Sequence, residues 1–304
     1  MSGAVKAPSP LLANALIALI CLIWGSTWLV IKFGLRDVPP FTGAAVRFLI
    51  AGLCMAVLVS ALSRREGGGR PPFVVVLSQG LFQFALNYGL VYLAETAIPS
   101  GLVAVLWSVF PLFVSLAGHF VLKSEILSGA QWLGMLLAFA GVALLFVTDL
   151  FAIDLRAVKL GLLLLVAPLS VTISTLLIKH RAAGSSSLIL NRDSMLIGAA
   201  VLGAVALAVE RDHAPRWTSV ALGSILYLAL AGTVLTFGAY LWLLRYVPAY
   251  KLSLTAFVTP LVALLVGAAL GGEPISPSTL FGCAAVVGGV ALVLVAKARR
   301  SGVG

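Results

Sequence analysis

Gln79, Gln83 and Asn87 stand four residues apart inside an apolar run. On a helix that spacing puts the three amides on one face. Amides turned to lipid would be costly, so the face should look into the protein. Such a wall could bind the polar ends of a zwitterion, or it could hold helices together by hydrogen bonds. The next run carries Ser108, Ser115 and His119 along one face, with Pro111 beside them. Pro111 removes a backbone hydrogen bond and frees a carbonyl, a break tolerated at membrane depth where it lines a cavity or is buried in protein. Pro260 does the same later in the chain, beside Thr255 and Thr259. His119 sits near the end of its run, which suits an interfacial histidine; inside a protein its proton could couple to other events.

Aromatic residues are the second ingredient. Trp24 and Trp28 are i, i+4 partners, Trp107 neighbours Ser108, and Tyr240 follows Thr236 by four residues. Mid-run Trp and Tyr offer an apolar wall with a polar handle, whereas Trp217, Trp242 and Tyr246 suit the interfacial belt. Arg47 lies about six residues into its run, where it could hold an anionic group or snorkel to the interface. Glu95, Glu125 and Glu273 fall at the ends of runs and could serve as rim contacts or ordinary loop charges. No carboxylate falls clearly at mid-membrane, which argues against proton or sodium coupling. No residue set has catalytic or metal-binding spacing: GxxxxGK[ST], HExxH and GxSxG are all absent. Gly67-Gly68-Gly69 reads as a linker, and Cys21, Cys54 and Cys283 read as small buried hydrophobes. Neither a cofactor nor a metal is implied.

The elements that must position these residues are membrane helices. The 304 residues are 61% hydrophobic and only 10% charged, with mean hydropathy +1.13; a soluble domain carries about 25% charged residues. Spans of roughly 20 apolar residues are expected at 11–33, 42–62, 73–94, 98–121, 129–148, 158–179, 188–209, 217–244, 250–270 and 277–297. The net charge of +10 is scattered over short loops, which fits bilayer orientation better than nucleic-acid binding. With both termini on one side, that side holds thirteen basic residues: Lys6, Arg64, Arg65, Arg70, Lys123, Lys179, Arg181, Arg192, Arg245, Lys251, Lys297, Arg299 and Arg300. The other side holds six: Lys32, Arg36, Arg156, Lys159, Arg211 and Arg216. The asymmetry places both termini in the cytoplasm.

The chain also repeats itself. Gly89, Pro99 and Pro111 return 149 residues on as Gly238, Pro248 and Pro260. Glu125, Gly134 and Gly141-Val142-Ala143-Leu144 return 148 residues on as Glu273, Gly282 and Gly289-Val290-Ala291-Leu292. Five spans therefore precede five, as units 1–150 and 151–304. An odd number per unit makes the second enter the membrane from the opposite side. Inverted repeats are a recurring plan of secondary transporters, with the site near the midplane between the halves.

Trp24-Gly25-Ser26-Thr27-Trp28 through Arg47-Phe48, with the Pro-containing fourth and ninth spans each followed by Glu, resembles the EamA-type drug/metabolite transporter superfamily. That resemblance implies an all-α membrane protein of ten helices around a central cavity, lined mainly by spans 1, 3, 4, 6, 8 and 9. It implies a small-molecule cargo; size and layout are similar to the bacterial amino-acid exporters, including the aromatic amino-acid branch, in the inner membrane. Substrate is expected to meet Trp24, Gln83, Asn87, Trp107, Ser108, Thr236, Tyr240 and Thr259, with Pro111 and Pro260 shaping the walls. Transport of other metabolites or drugs, or flipping of a lipid-linked substrate, stays open as an alternative.

Overall fold

The computed structural model describes residues 8–66, 68–123, 126–243, 246–247, 252 and 255–300. Among them, nine helices are long and apolar enough to cross a bilayer. They are Pro10–Gly34, Pro40–Ala61, Phe73–Glu95, Ser100–Phe120, Gly129–Leu150, Leu155–Arg181, Ser187–Val209, Ser219–Tyr240 and Pro277–Ala296. Thr255–Gly271 supplies the ninth span of the ten expected, its start lying outside the described residues. In lipid every backbone group must be satisfied internally, which is why apolar runs of this length become helices. Ser9, Ser128, Asp154, Ser186 and Thr218 start five of the helices by accepting from a backbone N–H three residues on.

The inverted repeat is visible in how the spans pair. The fifth and tenth cross in close contact at the glycines that recur in sequence. A Cβ on Gly134 would lie 2.7 Å from the Gly289 carbonyl oxygen, and one on Gly141 would lie 2.8 Å from that of Gly282. Each glycine thus meets the repeat equivalent of the other, which requires the two spans to run antiparallel about a local two-fold axis. Backbones approach this closely only where no side chain intervenes. Gly141→Val is expected to force the pair apart and to cost about 1–3 kcal/mol of overpacking, read as a lower melting temperature of the purified protein in detergent.

The second and seventh spans pair in the same antiparallel sense, and each is capped by the far end of the other. Glu210, just past the seventh span, accepts from the backbone N–H groups of Phe41 (2.7 Å) and Thr42 (2.9 Å) and from the Thr42 hydroxyl (2.6 Å). Glu66, ending the second span, accepts from the N–H of Ser187 at 3.1 Å and from the hydroxyls of Ser186 and Ser187. A carboxylate at a helix N-terminus satisfies orphan donors and opposes the positive end of the dipole. Glu210→Ala is expected to lower stability by about 1–2 kcal/mol, measured as a thermal shift. Beside the Glu66 cap, Gly69 exchanges backbone hydrogen bonds of 2.9 Å with Gly184 and Ser186.

Three stretches depart from plain α-helix. The third span widens into a π-helix over Gln79–Asn87, the eighth does so over Leu230–Leu235, and the fifth ends in one at Phe146–Leu150. The first two occupy repeat-equivalent positions, immediately ahead of Gly89 and Gly238. Segments of this kind are frequent at functional sites. The fourth span is interrupted at Ser108–Val109, and Pro111 stands in the first turn of the part that resumes at Phe110. The ninth runs through Pro260 without interruption. The two prolines therefore do different things. Pro111 occupies a position where a missing N–H costs little, whereas Pro260 removes an interior bond. Pro260→Ala is accordingly expected to raise thermal stability, and Pro111→Ala to leave it near wild type.

Candidate functional site

The widened third and eighth spans each present a polar side chain to an indole. Trp107 Nε1 donates to Asn87 Oδ1 at 2.7 Å, and Trp24 Nε1 donates to Thr236 Oγ1 at 2.9 Å. Asn87 and Thr236 are repeat equivalents, 149 residues apart. The first contact lies within one half, between spans 3 and 4; the second joins the halves, between spans 1 and 8. Trp28 links the two systems: it is one turn from Trp24, and its ring lies 6.3 Å from that of Trp107. Tyr240 (5.6 Å) and Phe237 (5.9 Å) pack on Trp24, and Phe110 stacks on Trp107 at 5.5 Å. The result is one aromatic wall through the middle of the bundle, with an amide at one end and a hydroxyl at the other.

Six of the expected site residues meet in this arrangement: Trp24, Asn87, Trp107, Thr236 and Tyr240 directly, and Gln83 through its backbone. The Gln83 carbonyl accepts from Asn87 Nδ2 at 3.2 Å, while its half-buried side-chain amide makes no hydrogen bond among the described residues. Ser108 is turned onto its own helix, donating to the Val105 carbonyl at 2.6 Å at the point where the fourth span breaks. Thr259 lies across from Gly25, whose Cβ would stand 3.2 Å from the Thr259 carbonyl oxygen. Its hydroxyl has no partner among the described residues. The expected single amide face of the third span divides. Gln79 Nε2 donates to Asn191 of the seventh span at 3.2 Å, and Gln79 Oε1 accepts from Ser194 at 3.3 Å. Gln79 therefore ties helices together, while Asn87, at the far end of the π-helical stretch, turns to Trp107.

Arg47 does not snorkel. It is 1% exposed, and its guanidinium lies 4.7 Å from the centre of the Tyr88 ring and 5.0 Å from that of Phe48. Its Nη2 donates to Thr233 Oγ1 at 3.2 Å. Thr233 belongs to the π-helical part of the eighth span, so Arg47 links the second span of one half to that element of the other. Nη1 has no partner among the described residues. Ser26 and Tyr227 form a further link between spans 1 and 8, their hydroxyls 2.7 Å apart.

The face opposite the termini is closed by a carboxylate. Glu273 accepts from the N–H groups of Ser100 (2.7 Å) and Gly101 (3.1 Å) and from the Ser100 hydroxyl (3.0 Å). Lys32 Nζ lies 3.2 Å from Glu273 and also donates to the Ile98 carbonyl at 3.0 Å. These contacts fasten the starts of spans 4 and 10 to the end of span 1. The repeat pointed to Glu273, and Lys32 recurs as Lys179 147 residues on, but Ser100 was not singled out; its signal was its place just after Pro99, where a helix must begin. Glu125, the equivalent of Glu273, and Pro248, the equivalent of Pro99, lie outside the described residues. His119 is packed edge-on against Trp132 at 6.1 Å, near the end of its span. Glu95, expected at the rim, is instead 2% exposed.

Comparison with known proteins agrees with this architecture. A solved crystal structure superposes with a TM-score of 0.65 at 20% identity, covering 96% of this chain and 99% of that one, and so shares the fold. The uncharacterized inner membrane transporter YedA of Escherichia coli K12 is 31% identical over 292 residues, 94% of this chain and 91% of its own. The uncharacterized transporter YoaV of Bacillus subtilis 168 is 26% identical over 286 residues, 92% of this chain and 96% of its own. The model of the EamA-like transporter family matches twice, over residues 11–147 and 159–295. With both repeats matched in tandem, the chain belongs to the EamA-like transporter family.

Proposed function

We propose that this transporter exports amino acids across the inner membrane by alternating access, with substrate held at the midplane between the two halves. One observation supports this reading above the others: the repeat-equivalent Asn87 and Thr236 are each held by an indole N–H, at the two ends of a shared aromatic wall. An amino acid presents what such a wall can recognise. Its charged groups would take the amide, the hydroxyl and the free Gln83 side chain, and its side chain would lie on Trp24, Trp28, Trp107 and Tyr240. Thr259 would add a hydroxyl from the ninth span, and the break at Ser108–Val109 ahead of Pro111, with Pro260 inside the ninth span, would shape the walls. Rocking of one half against the other would open the site to each side in turn. Both termini would lie in the cytoplasm, following the excess of basic residues on their side. The test is efflux from liposomes loaded with labelled amino acids and bearing the purified protein. Absence of saturable efflux for every amino acid would sink the assignment.

A second reading is favoured by one specific feature. Phe41, Leu81, Phe82, Ala85, Leu86, Gly89, Leu90, Val201, Leu202 and Val205 line an apolar crevice of about 420 Å³ between spans 2, 3 and 7. An acyl chain would fit it, as flipping of a lipid-linked substrate would require. A fluorescent-lipid scrambling assay in the same liposomes separates the two readings.

A further inference from the structure

Glu95 closes the third span at the face opposite the termini and is 2% exposed. Neither of its carboxylate oxygens meets a hydrogen-bond donor among the described residues, and it belongs to none of the ion pairs found there. The charged groups that face it come from three elements: Lys32 of the first span, Arg47 of the second, and Glu273 in the loop before the tenth. Tyr92, one turn back, is also buried, and its hydroxyl has no hydrogen-bond partner among the described residues. From the sixth span, Arg156 is exposed and donates to the neighbouring Thr96 hydroxyl at 3.1 Å, while Lys159 is exposed. Both nearby cations hold other partners, Arg47 with Thr233 through Nη2 and Lys32 with Glu273 and the Ile98 carbonyl, and the unpartnered Arg47 Nη1 makes no hydrogen bond to Glu95.

An ionised carboxylate at such a place, without donors, is strongly disfavoured. A neutral carboxylic acid is tolerated. We propose that Glu95 is the coupling site of this transporter and that its ligand is a proton; this rests on the transporter reading of the central wall. The step is the exchange COOH ⇌ COO⁻ + H⁺, with the proton passing to and from water at the face opposite the termini and no other bond made or broken. A metal cation fits poorly, because Lys32 and Arg47 already stand beside the carboxylate. Nor does any group of three or more His, Cys, Asp or Glu gather to hold one among the described residues.

The consequence of losing the proton follows from what Lys32 holds. A newly formed Glu95 carboxylate needs a cation. Lys32 is the less enclosed of the two: its side chain is 32% exposed, whereas Arg47 is enclosed by rings. Two carboxylates then compete for one ammonium. As Lys32 turns to Glu95, Glu273 loses its counter-ion, and its grip on Ser100 and Gly101 at the start of the fourth span weakens. Asn87 lies two turns before Glu95 on the same span, so the protonated residue and the central wall share one rigid element. Proton occupancy thereby biases the contact that closes this face.

The first test needs no substrate. Infrared difference spectra of the full-length protein in nanodiscs, titrated from acid through neutral pH, read protonated carboxyl groups directly. Wild type is expected to keep a protonated carboxyl band at neutral pH, with loss of that band in Glu95→Gln and its retention in Glu273→Gln. A spectrum unchanged in Glu95→Gln, with the variant folded by its melting curve, overturns the proposal. The second test is labelled amino-acid flux in liposomes under an imposed pH gradient. Flux in wild type should respond to the gradient, and the response should vanish in Glu95→Gln. A response equal to wild type in the variant overturns coupling at Glu95 while leaving the transporter reading intact. No amino-acid flux in wild type overturns the cargo instead, and the infrared titration still decides whether Glu95 holds a proton.

Discussion

Glu273→Ala is expected to be the most damaging single substitution at the closed face, lowering stability by about 3 kcal/mol and abolishing most transport. The estimate combines two losses. The first is the cap: the Ser100 and Gly101 N–H groups at the start of the fourth span lose the carboxylate that accepts from both. Loss of a cap costs about 1–2 kcal/mol, and charged acceptors make the stronger bonds. The second is the counter-ion of Lys32. The Glu273 side chain is only 10% exposed, but that of Lys32 is 32% exposed. The unpaired ammonium can therefore turn partly to water, and the full penalty of about 3–5 kcal/mol for breaking a buried pair does not apply. Lys32→Ala should accordingly be milder than Glu273→Ala, because the caps survive it. Glu273→Gln should fall between, since one amide oxygen still accepts. The measurement is a melting series of purified variants in one detergent, alongside flux in liposomes. A Glu273→Ala melting curve superimposable on wild type would show that the contact does not hold the face closed.

Much of this architecture could be read from the sequence, because hydropathy and repetition report on whole elements. The ten runs required helices of bilayer length. The recurrence of Gly134 and Gly141 as Gly282 and Gly289 set out the repeat, but that these backbones touch came only from the structure. The recurrence of Gly89, Pro111 and Glu125 pointed to the fourth and ninth spans and to Glu273. What escaped was set by details within a turn. A π-helical insertion changes no residue type, so nothing in the run from Gln79 to Asn87 showed that its ends would face different neighbours. The matched prolines suggested matched breaks, yet the fourth span is interrupted ahead of Pro111 while the ninth continues through Pro260. Arg47 read equally well as an anion site or a snorkelling residue. Its true partner, Thr233, lies 186 residues away in the inverted half, and no local pattern encodes such a pairing. Glu95 read as a rim charge because its run ends there. Its burial depends on Lys32, Arg47 and Glu273 arriving from three other elements. Site residues brought by one span were visible; pairings made across the pseudo-two-fold axis were not.

Asn87→Ala is the second substitution expected to have a large effect, and it separates a binding wall from a merely structural one. The change removes the acceptor that Trp107 Nε1 uses at 2.7 Å. A buried donor left unsatisfied costs about 1–3 kcal/mol, so transport should fall by roughly 10- to 100-fold if the indole and amide form part of the bound state. Trp107→Phe tests the same contact from the other side: it keeps an aromatic ring and removes the N–H. If the pair only braces spans 3 and 4, each variant should lose thermal stability, and the remaining folded fraction should transport normally. If the pair binds substrate, flux per folded molecule should fall in both, with the double variant little worse than either single one because the interaction is already gone. Thr236→Val extends the argument to the other half. It preserves shape and deletes the oxygen that accepts from Trp24 at 2.9 Å. The two systems meet through Trp28 and Trp107, whose rings are 6.3 Å apart. One substrate spanning both would make the losses from Asn87→Ala and Thr236→Val non-additive. Strict additivity in flux, at unchanged stability, would mean that the two indole contacts do not serve a single bound molecule, and the midplane site would have to be placed elsewhere.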